Sequence, residues 1–216
     1  MSLKDRIGVD LGRRVSLEDG VAWAVEHDVT YIDAQLDIAP NGLDTFDEAR
    51  CRPILKAAAA GGIHIGLHTL SGVNIAEYSP FLSEAVDDYL AAYIDVAVRL
   101  SAEWVVVHPG HHFGDKKVRM EAAVAHIAKA AKYAEDKGAT LYLENMNWEP
   151  DLAEVHYLAH TVEEAQYYFD RLDSAALKWS FTVNHAHLVS DGIYGFNDVL
   201  YTSRLGQLPI SLLNTS

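Results

Sequence analysis

The sequence is short of most features that anchor or staple a chain from outside its own core. It carries one cysteine, Cys51, in 216 residues, so no internal disulfide can form. A lone thiol suits a reducing compartment, and Cys51 reads as a small residue near a helix start. No apolar run approaches the roughly 20 residues needed to span a bilayer, and Met1 to Arg6 lack the apolar centre of a signal peptide. The expectation is a cytoplasmic protein without membrane association. Prolines number only 6, and no Pro/Ser-rich or low-complexity stretch marks a linker, so residues 1–216 read as one domain. Basic residues are outnumbered, 17 Lys and Arg against 31 Asp and Glu, for a net charge of −14. Phosphate backbones attract basic surfaces, so no nucleic-acid partner is expected. Also missing is a dinucleotide-binding turn: Gly8-Val9-Asp10-Leu11-Gly12 is not GxGxxG.

What is present is a strongly patterned apolar half. Short β-branched or apolar runs at 7–11, 31–36, 64–70, 104–108, 140–146 and 177–183 predict strands buried on both faces. Helical patterns separate them. Ser16 with Asp19, and Thr161 with Glu164, have capping-box spacing, and Ser79-Pro80 sets a cap ahead of a proline at the first helical position. Val86, Tyr89, Leu90, Tyr93, Ile94 and Ala97 follow at helical spacing. Gly61-Gly62 and Gly138 predict helix stops, while Pro53 places the start of the second helix near Arg52. The alternation predicts an α/β fold with a parallel sheet, either doubly wound or a (β/α) TIM-type barrel.

The strand ends favour the barrel, whose functional groups gather where strands finish. In order they are Asp10, Asp33 with Gln35, His68, His108, Glu144 with Asn145, and Thr182 with Asn184, His185 and His187. Glu144 closes the apolar run Leu141-Tyr142-Leu143 and needs a cation beside it, because a lone buried carboxylate is costly. With His68 and His108 on neighbouring strands, a divalent metal is the economical partner, and such nitrogen and oxygen donors suit zinc, manganese, magnesium or cobalt. Trp148, just beyond Glu144, is the tryptophan placed to stack on a sugar face; Trp23, Trp104 and Trp179 read as core. Of His111 and His112, at most one is expected to be functional. His27, His126 and His156 read as solvated, and Asp10, Asp33 and Asp37 as a salt network with Arg13 and Arg14.

The set His68, His108-Pro109-Gly110, Leu143-Glu144-Asn145 and Asn184-His185-Ala186, in this order on successive strands, resembles the xylose-isomerase-like TIM-barrel superfamily from about residue 7 to about residue 196. That superfamily includes sugar phosphate isomerases, ketose 3-epimerases and endonuclease-IV-type enzymes. The resemblance implies a protein acting on a small sugar or hydroxy-ketone by metal-assisted proton transfer next to a carbonyl. Glu144 and His185 would be catalytic; His68, His108, Asn184 and Trp148 would contact substrate; Glu144, His108 and His68 would hold the metal. Two departures stand out. Thr182 takes the place of the sixth-strand Asp, and after residue 206 neither of the last two strand signatures is found, leaving about six of the barrel's eight units. The chain thus predicts weak or absent metal, and an unfinished barrel that forms a homo-oligomer with residues 196–216 near the interface, or is filled by Leu208, Ile210, Leu212 and Leu213 as a seventh strand. The alternatives are an endonuclease-IV-like phosphodiester hydrolase, sharing His68, His108 and Glu144, and a non-catalytic barrel remnant used for binding or assembly.

Overall fold

The computed structural model describes residues 4–190 and 192–202. Its strands are β1 (Gly8–Asp10), β2 (Tyr31–Ala34), β3 (His64–His68), β4 (Trp104–Val107), β5 (His111–His112), β6 (Leu141–Glu144), β7 (His156–Tyr157) and β8 (Leu177–Ser180). Its helices are α1 (Leu17–Glu26), α2 (Glu48–Gly61), α3 (Pro80–Leu100), α4 (Lys116–Lys137), α5 (Val162–Phe169), α6 (Val183–His187) and α7 (Gly192–Thr202). All six predicted strands form. They make one parallel sheet in the order β1-β2-β3-β4-β6-β8, the succession expected of TIM-barrel (β/α) units. The short strands β5 and β7 pair antiparallel above it, His111 opposite Tyr157 and His112 opposite His156.

Strand side chains alternate between two faces. Ile32, Ile65, Leu67, Val105, Val107, Leu141 and Leu143 enter the helix-facing core with Val21 of α1, Ile54 of α2, Leu90 and Ile94 of α3, and Ile127 of α4. Each such side chain contributes roughly 1.5–3 kcal/mol of burial. The opposite, inner face receives Asp33, Gly66, His68, Trp104, Tyr142 and Glu144. Polar chemistry is therefore collected on one side of a sheet whose other side is apolar.

Capping follows the sequence signals. Ser16 and Thr161 accept the N–H groups of Asp19 and Glu164, and Pro80 opens α3. Gly62 and Gly138 take left-handed conformations, φ 67° and 76°, and end α2 and α4. Two boundaries differ from expectation. Helix α2 starts at Glu48, ahead of Pro53, because Asp47 caps it through the Arg50 N–H at 2.8 Å and Arg50 pairs with Glu18 of α1 at 2.7 Å. Pro53 then removes only one hydrogen bond inside an already anchored turn. The sixth strand stops at Ser180; Thr182 precedes α6, and Asn184, His185 and His187 lie within it rather than at a strand end. The predicted seventh-strand segment, and the tail from about residue 206, lie outside the described residues.

Candidate functional site

Three inner-face side chains meet where β3, β4 and β6 finish. His68 and Glu144 are the last residues of β3 and β6, and His108 directly follows β4. The strand register extends Val107↔Leu143 to set His108 beside Glu144. His68 Nε2 lies 3.1 Å from His108 Nε2 and 3.4 Å from Glu144 Oε2, and His108 Nε2 lies 3.0 Å from the same oxygen. All three residues are buried, Glu144 to 3% exposure. His185, at the start of α6, stands at the edge of the cluster, with Nδ1 3.6 Å from Glu144 Oε1. Of the five residues expected to converge, Asp10, His68, His108, Glu144 and His185, the last four meet here.

Each donor is held from behind. His68 Nδ1–H donates to Asp33 Oδ2 at 2.8 Å, and Asp33 Oδ1 accepts from Trp104 Nε1–H at 2.9 Å. His108 Nδ1 faces the Thr69 hydroxyl at 3.2 Å. Glu144 Oε1 accepts from the Thr182 hydroxyl at 2.5 Å, so that hydroxyl caps no helix. Asn145 bonds both the N–H and the carbonyl of Thr182, at 2.7 and 3.0 Å, which fixes the turn after β8 against β6. His185 Nδ1–H donates to the Asn145 carbonyl at 2.8 Å, so Nε2 is the ring nitrogen without a hydrogen bond among the described residues.

The charges are set by burial and proximity. Burial opposes ionisation of Glu144, but the hydrogen bonds and charges of His108 and His68 outweigh it and hold the carboxyl well below its ordinary range. Burial also opposes a charge on His68, yet the Asp33 and Glu144 carboxylates keep its pKa well above the usual histidine value. For His108, burial wins over the help from Glu144, and its pKa is lowered. Burial raises that of Asp10 despite the Gly12 N–H bonded to it.

The donor set fits a divalent ion. His68 Nε2, His108 Nε2 and Glu144 Oε2 form a triangle with edges of 3.1, 3.4 and 3.0 Å. That is close to the about 3.3 Å edge of a tetrahedron with metal–ligand bonds of about 2.0–2.1 Å. Among the described residues, this is the one group of three or more such side chains with donor atoms so close together, all within 4.8 Å.

Other expectations fare differently. Asp10 ends β1 at the same rim, but its carboxylate accepts from Gly12 N–H at 2.7 Å. The salt network of Asp10, Asp33 and Asp37 with Arg13 and Arg14 does not form: Asp33 lies under His68, Asp37 accepts from the Tyr89 and Tyr93 hydroxyls at 2.7 Å each, and Arg13 bonds Gln35 at 3.2 Å. Buried tyrosine hydroxyls on α3 compete better for Asp37 than solvated arginines do. His126 is buried rather than solvated, with Asp87 and the Glu77 carbonyl 2.5 and 2.9 Å from its two ring nitrogens. Trp148 is 39% exposed in the loop after β6, and Trp23 is exposed on α1 rather than core. Asn184 and His187 are exposed on α6. His111 and His112 sit in β5, where His112 stacks on His156. Sequence reasoning missed Trp104, Thr69 and Thr182 as supports, since no local pattern reveals a partner on another strand.

A family model for the xylose isomerase-like TIM barrel matches residues 21–213. The chain belongs to this family. Solved structures agree in fold. D-psicose 3-epimerase from Clostridium cellulolyticum H10, solved with D-tagatose, is 15% identical with a TM-score of 0.73, over 89% of this chain and 70% of that one. A D-tagatose 3-epimerase-like protein is 20% identical with a TM-score of 0.71, over 87% and 71% of the two chains. A xylose isomerase domain protein from Planctomyces limnophilus is 13% identical with a TM-score of 0.66, over 92% and 71%. No protein of curated function matches the sequence. No helix among the described residues is long and apolar enough to cross a membrane.

Proposed function

We propose that this family member catalyses proton transfer at the carbon beside the carbonyl of a small sugar or hydroxy-ketone, as an isomerase or epimerase. The observation that carries the proposal is the convergence of His68, His108, Glu144 and His185 at the carboxyl end of the sheet. His68, His108 and Glu144 would hold a divalent ion, which when bound supplies electrophilic polarisation of a carbonyl. Glu144 is a poor base on its own, because its carboxyl is held well below the ordinary range and Oε1 is bonded to Thr182. His185 is better suited to carry the proton: its Nδ1–H is fixed on Asn145, and Nε2 is the nitrogen left to accept one. Trp148, in the segment after β6, and Asn184, in α6, are both open to solvent and would contact the sugar. The epimerase neighbours, one of them solved with D-tagatose, support the substrate class.

Exchange in heavy water tests this. The chain, supplied with manganese, zinc or cobalt, is expected to incorporate deuterium beside the carbonyl of a ketohexose or a smaller hydroxy-ketone. His185→Asn and Glu144→Gln should each cut the rate by about 100-fold or more. No exchange with any of these ions overturns the reading. Phosphodiester hydrolysis uses the same three donors, but the charge of −14 repels a DNA backbone. A nicking assay on abasic-site DNA is therefore expected to show no turnover. We also propose a homo-oligomer, since β1 and β8 each pair with one neighbour only among the described residues.

A further inference from the structure

Asp33 is 1% exposed, and among the described residues its only ion pair is with His68. A carboxylate in such a place costs several kcal/mol unless its partners repay it, and an apolar side chain would fill the same space at less expense. Its two oxygens are each engaged once, Oδ2 by His68 Nδ1–H and Oδ1 by Trp104 Nε1–H. The register explains the arrangement: Asp33 lies beside Gly66, and Gly66 beside Trp104, in one row across β2, β3 and β4. The indole lies over Gly66, where a Cβ would come within 1.8 Å of Trp104 Cε2. Only glycine leaves room for the ring.

We propose that Trp104 and Asp33 are positioning residues, a relay seated on Gly66 that keeps the proton of His68 on Nδ1 and aims Nε2 at Glu144 and His108. The relay deepens the proposed function, because it rests on His68, His108 and Glu144 being the ion-binding set. The chemistry is directional. A carboxylate only accepts and an indole N–H only donates, so the nitrogen facing Asp33 must be N–H. Trp104 occupies the other oxygen and stops the carboxylate from turning away. Outer partners of this kind orient a ligating imidazole and raise its basicity. Behind His108 there is no carboxylate: its Nδ1 faces the Thr69 hydroxyl, which can donate or accept and so does not choose the tautomer. The site therefore has one histidine whose outer nitrogen is preset by a carboxylate and one whose outer nitrogen is not.

The test uses the full chain with nitrogen-15-labelled histidine, as wild type, Trp104→Phe and Asp33→Asn. Imidazole nitrogen NMR on the metal-free protein reads the His68 Nδ1–H signal, and competition with a chromophoric chelator reads zinc affinity. The wild type is expected to show a downfield, slowly exchanging Nδ1–H. Trp104→Phe keeps an aromatic ring over Gly66, so it should melt cooperatively, yet move that signal upfield, speed its exchange and weaken zinc about tenfold. Asp33→Asn should weaken zinc by up to about 100-fold; if it does not fold, Trp104→Phe decides alone. An unchanged Nδ1–H signal together with unchanged zinc affinity in Trp104→Phe overturns the relay. If the wild type binds no zinc, the ion-binding reading fails, and the Nδ1–H signal still decides the relay.

Discussion

Thr182 governs which oxygen of Glu144 faces the cluster. Its hydroxyl engages Oε1, and Oε2 is left to His108 and His68. A hydroxyl brings no negative charge, so the site as built offers less to a hard, oxygen-seeking ion than one with a second carboxylate would. Thr182→Asp is expected to raise manganese affinity by about tenfold or more, read by calorimetry at fixed pH. No gain would place position 182 outside ligand reach. Gly66 is the second decisive residue. Gly66→Ala forces the Trp104 ring off its seat, and overpacking of this kind costs about 1–3 kcal/mol. Denaturant unfolding should show a lower midpoint; a wild-type midpoint would mean the indole has another place to go.

At the scale of elements, the segments after β2 and β3 are tied to α3 and α4. On α3, the Tyr93 hydroxyl accepts from Leu36 N–H at 2.9 Å and the Tyr89 hydroxyl from Leu70 N–H at 3.0 Å, while both hold Asp37. Tyr93→Phe leaves a buried N–H unpaired and is expected to cost about 1–3 kcal/mol in a thermal or denaturant melt. A second clamp joins residues 69–79 to α4, where Arg119 bonds Glu77, Asp115 and the Ala76 carbonyl at 3.0, 3.1 and 3.2 Å. Burial works against the charge on Glu77, but the Ser79 N–H and Arg119 outweigh it, and its carboxyl lies below its ordinary value. Asp87, bonded by Lys129 and His126, is lowered for the same reason against the same opposition. Depressed carboxyls contribute stability that is complete above their unfolded values and is lost as pH falls through the folded ones. Hydrogen exchange over residues 69–79 should therefore quicken as pH drops below about 4, after correction for intrinsic rates. Protection that holds unchanged down to about pH 2 would refute the clamp.

For the molecule as a whole, the unresolved tension is between a buried inner face and an open sheet. Among the described residues β1 and β8 have one strand neighbour each, and Ile7, Val15 and Trp23 are exposed near the β1 side. Burying apolar surface and pairing strand edges both favour association. Light scattering is expected to give a dimer or larger species that persists on dilution. A stable monomer with a cooperative melt would count against the proposed assembly.

Much of this was determined locally and so was legible in the chain. The β-branched runs, the caps at Ser16, Thr161 and Ser79-Pro80, and the stops at Gly62 and Gly138 act over a few residues, where backbone sterics and hydrogen bonding choose the element. Because parallel strands in such a fold present functional groups at their carboxyl ends, the sequence alone brings His68, His108 and Glu144 together from three distant segments. Register and packing decided the rest. By sequence Asp33 belongs with Asp10 and Asp37 in a solvated salt network with Arg13 and Arg14, yet the row Asp33, Gly66, Trp104 makes it the buried anchor of His68. Sequence alone leaves His126 solvated, whereas the packing of α4 against the segment before and along α3 buries it beside Asp87 and the Glu77 carbonyl. By sequence Thr182 is a lost ligand, and only the turn after β8 makes it the donor that orients Glu144. Contacts between residues 35 and 71 positions apart depend on which strands become neighbours and on their offset, and that is a property of the assembled sheet.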